Sequence, residues 1–342
     1  MYKIEKDKLP KLLEAIAKTS DVYAPVRQGE QVNFAKYGEG ETLDIDTLKT
    51  VKSPKDFFLP QAETLYYGNN QGGKLSIEPA SLEHAPFVVF GVRGCDVKAM
   101  TILDKVYLTD PIDRFYEARR KQGCIIALAC AEPQLTCFCK PFGVDAAEPG
   151  ADITTWPAGD FLYWKANTEK GHALTKAVES QLDPAADTVA EECKADIRKK
   201  VDALPYSQGL PLERFKAENL LELFEDPRWD ELYKACLACG TCAFVCPTCQ
   251  CYDIQDFDTG NGVQRFRCWD SCMYSDFTLM AHGNPRTSQK ERFRQRFMHK
   301  LVYSMANDGD YSCVGCGRCV NKCPVQLNIV KVIKSLGVGA NV

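Results

Sequence analysis

CLACGTCAFVCP at residues 236–247 and CVGCGRCVNKCP at residues 313–324 share one pattern, C-x2-C-x2-C-x3-C-P. Bacterial ferredoxins use this run of cysteines to build cubane iron–sulfur clusters. The first three thiolates of a run fit a tight loop around one cube, whereas the fourth follows a short helical turn and ligates the other cluster. The two motifs therefore predict a pair of [4Fe-4S] clusters that exchange their fourth ligands.

This exchange assigns four cysteines to each cluster. The first predicted set is Cys236, Cys239, Cys242 and Cys323, and the second is Cys246, Cys313, Cys316 and Cys319. Gly240 and Gly317 are expected to bring backbone N–H groups close to the inorganic sulfurs. Pro247 and Pro324 are expected to stop the chain from continuing as a helix after the last ligand. Zinc is disfavoured, because its sites use two separated C-x2-C pairs.

The composition also favours metal binding over disulfides. The 342 residues include 18 cysteines, most of them after residue 229. The N-terminal segment lacks the apolar core of a signal peptide, so we expect a cytoplasmic protein, in which disulfides are rare. The net charge of -4 disfavours a nucleic-acid-binding protein that relies on bulk positive charge. No apolar run reaches the ~18 residues that a membrane span needs.

The sequence before the motifs predicts an α/β domain at residues 1–192. PFVVFGV (86–92) and CIIALAC (124–130) are typical of buried strands, and VKAMTILDKVYL between them has helical spacing of its apolar residues. Strand, helix and strand in this order predict a parallel sheet. The opening segment, MYKIEKDKLPKLLEAIAK, predicts an amphipathic helix, and WPAGDFLYWKAN (156–167) predicts a strand near an edge.

Two further units are predicted after this domain. Residues 193–229 form a helical connector broken by prolines. Residues 230–342 form a mostly helical, bacterial-ferredoxin-like 2[4Fe-4S] domain, in which a long insert at 247–312 separates the two motifs.

Four N-terminal cysteines follow the carboxyl ends of the two predicted parallel strands, and such ends share one edge of a sheet where ligands bind. This rim group predicts a tentative third cluster, with Asp96 as an extra or substitute ligand; the alternative is a set of unrelated thiols. A helix N-terminus at Cys95 favours its thiolate form. Cys124 and Cys193 are expected to be structural. The rim group is Cys95, Cys130, Cys137 and Cys139.

The insert carries four more cysteines and a basic helix. Its thiols predict either a further cluster or small buried residues packed against the other clusters. The segment NPRTSQKERFRQRFMHKLVYSMA (284–306) has one apolar face, and its charged face is interpreted either as solvated or as a docking face for an acidic partner. The insert cysteines are Cys249, Cys251, Cys268 and Cys272.

GVRGCDVKAM, DPIDRFYEARR, CFC, CLACGTCAFVCPTCQCYDIQD, CWDSCM and CVGCGRCVNKCPV occur in this order. Together they resemble the iron–sulfur subunit that anaerobic sulfite reductases share with cytosolic nickel–iron sulfhydrogenases, in which it is the beta subunit. The resemblance implies a protein that passes electrons between a flavoprotein partner linked to NAD(P)H or ferredoxin and a catalytic partner of the hydrogenase or sulfite reductase type.

The chain contains neither a G-x-G-x-x-G after a strand nor a P-loop, so no flavin or nucleotide site is predicted. This favours a non-catalytic electron-transfer subunit of an oxidoreductase complex. The alternative is a self-contained iron–sulfur or flavin reductase that uses the rim group. A redox sensor acting on nucleic acid is disfavoured, because only one helix is basic.

Overall fold

The computed structural model describes residues 1–38 and 40–339. The strands are β1 (Tyr2–Glu5), β2 (Asp21–Gln28), β3 (Gln31–Lys36), β4 (Ala62–Gln71), β5 (Lys74–Pro79), β6 (Phe87–Val92), β7 (Gly123–Leu128), β8 (Ile153–Ala158), β9 (Phe161–Ala166), β10 (Asp183–Pro184), β11 (Tyr252–Asp258) and β12 (Gly262–Trp269). The α-helices are α1 (Leu9–Ile16), α2 (Gly94–Tyr107), α3 (Arg114–Gln122), α4 (Glu169–Ala177), α5 (Thr188–Asp202), α6 (Leu220–Phe224), α7 (Trp229–Leu232), α8 (Thr241–Phe244), α9 (Gln289–Met298), α10 (Ser304–Asp308), α11 (Arg318–Lys322) and α12 (Ile329–Leu336).

The larger sheet has eight strands in the order β10-β1-β9-β8-β7-β6-β2-β3. Its centre, β2, β6, β7 and β8, is parallel, and α2 connects β6 to β7. The predicted strand–helix–strand unit is therefore confirmed. Both central strands are fully buried, because α1 packs on one face of the sheet while α2 and α3 pack on the other. Burial on both faces explains why these strands are continuous apolar runs.

Two sequence predictions about this sheet are only partly right. Tyr2–Glu5 form β1, which pairs with β9, so the predicted opening helix is confined to α1, which begins at Leu9. The segment 156–167, predicted as one strand near an edge, contains the end of β8, a turn and β9, and β9 lies third in the sheet order, between β1 and β8. The pairing of β1 with β9 joins segments about half the chain apart, so local periodicity did not indicate it.

A smaller sheet has the strand order β11-β12-β4-β5. β11 and β12 form a hairpin of the insert, whereas β4 and β5 belong to the N-terminal region. The C-terminal region is therefore mixed, and the expected mostly helical character is not confirmed. Arg267 of β12 is buried and donates to Glu63 on β4 (Nε–Oε2 2.8 Å) and to Asp113 before α3 (2.5 Å). These ion pairs hold the hairpin against the N-terminal region.

A continuous helix runs from α9 through a π-helical turn, His299–Tyr303, into α10. It starts with a capping box, in which Ser288 Oγ accepts from the Glu291 N–H and the Glu291 carboxylate accepts from the Ser288 N–H. Phe293 and Phe297 on this helix pack, 4.7 Å between ring centroids, in a core that includes α12 and the connector. The helix therefore forms the centre of the C-terminal region.

The predicted boundary at residues 192–193 falls inside α5, which packs against β8. The last three residues of the predicted C-terminal domain lie outside the described residues. The domain limits remain a prediction.

Candidate iron–sulfur centres

The first motif folds into a loop around a cavity. α8 contains the third cysteine, Cys242, and ends two residues before the fourth, Cys246, so the fourth follows a short helical turn as the motif predicts. The cavity is lined by the whole first predicted set together with Cys319. These lining thiols are Cys236, Cys239, Cys242, Cys319 and Cys323. The structure therefore brings Cys323 of the second motif to the loop of the first.

One thiol of this cavity reaches the surface. Cys239 is exposed, and its Sγ lies 3.4 Å from Thr241 Oγ1. Hydrogen bonds with the side chain and the backbone of Thr241 lower the pKa of Cys239. The other thiols of the cavity are partly covered, so this side of the first motif is its most accessible point.

The second predicted set also converges. Burial raises the pKa of the three second-motif thiols, and in each case the nearby Cys246 thiolate adds to the increase. The three thiols are Cys313, Cys316 and Cys319. Cys246, the fourth cysteine of the first motif, therefore lies beside the second motif.

The two motif loops share a backbone conformation. Ala238 and Gly315, the third residues of their motifs, have φ values of +52° and +59°. The N–H of each lies 3.4 or 3.5 Å from the Sγ of the first cysteine in its motif. Such N–H groups stabilise a thiolate ligand, and Ala238 adopts a conformation that disfavours residues with a Cβ. The donors present, eight thiols in two convergent sets, fit the chemistry of two iron–sulfur clusters.

Close packing gives an additional reason for glycine at positions 240 and 317, which the sequence did not indicate. Gly240 and Gly317 both have positive φ, +71° and +74°. A Cβ at Gly317 would lie 2.2 Å from the carbonyl oxygen of Thr136, and one at Gly240 would lie 2.5 Å from the Tyr274 hydroxyl. The absence of a Cβ at these two positions therefore leaves room for the neighbouring protein atoms.

The rim group lines a cavity of its own at the carboxyl ends of β6 and β7. All four thiols, Cys95, Cys130, Cys137 and Cys139, line it together with Cys316 of the second motif. The second motif packs directly on the loop that carries two of them, because the Phe138 N–H donates to the Gly315 carbonyl at 2.9 Å. The structure thus brings the rim group together and places it next to the second motif.

The prediction of Asp96 as a rim ligand is wrong, whereas the thiolate form of Cys95 stays a prediction. Burial raises the pKa of Cys95 well above its ordinary value, and the neighbouring Asp96 charge adds to this, so both act against the effect of the helix N-terminus. Asp96 was a candidate ligand, but both of its carboxylate oxygens accept hydrogen bonds from Arg318, at 2.5 and 2.8 Å. Arg318 stands between two second-motif cysteines, so this ion pair joins the motif to the rim.

The four insert thiols do not form a single group. A hydrogen bond between Cys249 and Cys246 lowers the pKa of Cys246 well below its ordinary value. A hydrogen bond between Cys272 and Cys251 likewise lowers the pKa of Cys251 to about 6. Cys268 lies on β12, where burial and the charges of Asp253 and Asp270 raise its pKa. The structure therefore pairs Cys249 with Cys246 and Cys251 with Cys272, and it leaves Cys268 apart.

The two remaining thiols lie in the large sheet region. Cys124 is buried in β7, and Cys193 Sγ on α5 lies 3.5 Å from the Pro157 carbonyl oxygen. Neither lines the cavity of the first motif or the cavity of the rim group.

The charged face of the basic helix points inward, so both interpretations of it as a solvated or docking face fail at its centre. Arg296 and Lys300 are each only 3% exposed. Arg296 Nη2 donates to the Cys242 carbonyl at 2.8 Å, and Lys300 Nζ donates to Thr248 Oγ1 at 2.7 Å. Sequence reasoning missed these site residues; their i, i+4 spacing was the available signal, since it places both on one helix face.

Among the described residues, no group of three or more His, Cys, Asp and Glu side chains could hold a single metal ion. A [4Fe-4S] cluster distributes its cysteine ligands over separate irons. The feature expected at a cluster site is therefore a cavity lined by thiols and not a group of side chains around a single ion. Within residues 1–38 and 40–339, no helix is long and apolar enough to cross a membrane.

Comparison with known proteins agrees with the geometry. A family model described as a 4Fe-4S dicluster domain matches residues 235–327, which means that the chain carries two [4Fe-4S] clusters. The beta subunit of sulfhydrogenase 2 from Pyrococcus furiosus is 31% identical to this chain over 341 residues, which cover 98% of each protein. The match thus extends well beyond the two motifs.

Proposed function

The chain belongs to the family of the sulfhydrogenase beta subunit, and on that premise we propose that it is the electron-transfer subunit of a multi-subunit oxidoreductase. It relays electrons between a flavoprotein subunit, linked to NAD(P)H or ferredoxin, and a catalytic subunit of the hydrogenase or sulfite reductase type. The Pyrococcus relative is a hydrogenase subunit, and the 4Fe-4S dicluster match supports electron transport.

The ligand exchange between the two motifs carries this proposal. Cys323 lines the cavity of the first motif, and Cys246 lies beside the thiols of the second. We assign one cluster to Cys236, Cys239, Cys242 and Cys323, and the other to Cys246, Cys313, Cys316 and Cys319. Iron–sulfur clusters supply one-electron storage at potentials that their surroundings set.

The rim group is proposed as the ligand set of a third cluster. Its four thiols line one cavity, and three of them, Cys130, Cys137 and Cys139, are as buried as Cys316 of the second motif. Cys316 lines the rim cavity, whereas Cys319 lines the cavity of the first motif. The three sites are therefore contiguous through the second motif, which suits a relay that runs from the rim to the exposed side at Cys239.

Iron and acid-labile sulfide per chain, measured in anaerobically purified protein together with its EPR spectrum, test the cluster assignment. About twelve irons support three clusters, whereas about eight support two and leave the rim as ordinary thiols. Cys137→Ser should remove about four irons, and the matched control Cys124→Ser, a thiol buried in β7, should remove none. Loss of iron in both variants would contradict the assignment to the rim.

A reconstitution tests the role of the subunit. The proposal predicts that the chain alone turns over neither hydrogen, sulfite nor NAD(P)H, and that it restores electron flow when added to flavoprotein and catalytic subunits separated from it. Turnover by the isolated chain would refute this role and would favour the alternative of a self-contained reductase.

A further inference from the structure

Seven lysine and arginine side chains among the described residues are buried, and they fall into two classes. Three form ion pairs with carboxylates: Lys194 with Glu148 and Glu191, Arg267 with Glu63 and Asp113, and Arg318 with Asp96. The other four make hydrogen bonds to carbonyl, hydroxyl or thiol groups and lie beside cysteines: Lys55, Arg93, Arg296 and Lys300. Burial of a charge without a counter-charge is costly, so the second class needs an explanation.

Three members of the second class contact the segment from Cys246 to Cys249, and we call them the cation group: Lys55, Arg296 and Lys300. Lys55 Nζ donates to the carbonyl of Cys249 at 2.7 Å and to that of Cys246 at 3.3 Å. The same Nζ lies 3.6 Å from the centroid of the Trp269 ring, an arrangement that stabilises a cation. Lys55 is therefore held over the backbone between the two cysteines.

Arg296 and Lys300, both on the basic helix, also contact this segment. Arg296 Nη1 lies 3.4 Å from Cys249 Sγ, and its buried Nε has no hydrogen-bond partner. Lys300 Nζ donates to Thr248 Oγ1 at 2.7 Å and to the Ser312 carbonyl at 2.9 Å. Thr248 Oγ1 in turn lies 3.2 Å from Cys246 Sγ, so a short chain of polar contacts connects Lys300 to that sulfur.

The cation group faces cysteine residues and not carboxylates. Arg296 contacts Cys249 Sγ, and Lys300 reaches Cys246 Sγ through Thr248 Oγ1. Lys55 donates to the carbonyls of both cysteines. Because Cys246 is a proposed cluster ligand, the negative charge that balances the group would be that of the cluster that Cys246 ligates.

We infer that the cation group raises the reduction potential of the cluster assigned to Cys246, Cys313, Cys316 and Cys319, so that this cluster accepts an electron more readily than it would without these charges. The inference deepens the proposed function and rests on it. Reduction adds one negative charge to a cluster, and a buried cation close by favours the more negative state. Net charge, hydrogen bonds to sulfur and exclusion of solvent are the features that set such potentials.

The test is an EPR-monitored redox titration of the anaerobically purified full chain, after its iron content has been measured. Lys300→Met removes the charge and keeps an apolar chain of similar length; it should shift one midpoint to a more negative potential. Lys300→Arg keeps the charge and should restore most of the wild-type value. Lys194→Met is the matched control, because Lys194 is equally buried, 3% exposed, but has carboxylate partners; it should leave the midpoints in place.

Lys55→Met provides a second variant on a distant segment of the chain, and it should shift the same midpoint in the same direction if Lys300→Met does not retain iron. Unchanged midpoints in iron-replete Lys300→Met or Lys55→Met would overturn the inference, as would an equal shift in Lys194→Met. Wild-type protein without two EPR-active clusters would instead refute the proposed function, so the two failures are distinguishable.

Discussion

An Asp96→Asn substitution should destabilise the protein strongly, because it leaves the Arg318 guanidinium buried opposite a neutral amide. Asp96 is fully buried and Arg318 is 3% exposed, and both carboxylate oxygens accept a hydrogen bond from the guanidinium. Removal of one partner of such a pair costs about 3–5 kcal/mol. Arg318 also donates to the Thr50 carbonyl at 3.3 Å, so part of its hydrogen bonding survives, and we expect the lower half of that range.

The assay is thermal unfolding of the iron-replete protein, followed anaerobically by far-UV circular dichroism. A cost of about 3–4 kcal/mol corresponds to a fall in Tm of roughly 6–8 °C, if each kcal/mol is worth about 2 °C in a protein of this size. Asp202→Asn is the matched control: its ion pair with Lys140 is about half exposed on both sides, and such pairs contribute about 0–1 kcal/mol.

A further substitution, Arg318→Met in the Asp96→Asn background, should recover part of the lost Tm, because it removes the uncompensated charge. A Tm for Asp96→Asn that matches the Asp202→Asn control would refute this account. So would a double variant that is less stable than Asp96→Asn alone, because the penalty would then not come from the buried charge.

Three further predictions follow from the same contacts. Cys323 lies in the second motif, but Cys323→Ser should remove about four irons together with the EPR signal of the cluster proposed for the first motif. Loss of the EPR signal of the other cluster would contradict the ligand exchange. Gly315→Ala should lower Tm far more than Gly143→Ala. Both glycines have positive φ, but only at Gly315 would a Cβ meet a neighbour, at 2.1 Å from the Phe138 carbonyl oxygen. Equal losses of Tm would show that backbone strain alone is responsible. Ile333→Ala, at a fully buried position, should cost about 2–5 kcal/mol in chemical denaturation without a change in EPR spectrum, and a loss below about 1 kcal/mol would mean that α12 is not part of the core.

The sequence by itself determined the elements that depend on local spacing. The thiols of each motif are close along the chain, so their pattern predicted two clusters and the exchange of Cys246 and Cys323. The periodicity of β6, α2 and β7 predicted a parallel unit, and that topology alone indicated that Cys95 and Cys130 share an edge. It could not indicate that β1 pairs with β9, because periodicity reports which face of an element is apolar and not which element it meets.

Only the tertiary structure decided what surrounds the thiols. Lys55 lies far from the motifs along the chain, and Arg296 and Lys300 occupied a face that the sequence interpretation assigned to solvent or to a partner. Asp96 became the counter-charge of Arg318 because the second motif packs on the rim. The physical reason is that electrostatic interaction depends on distance through space and on burial, and both are set by contacts between segments that are remote in sequence.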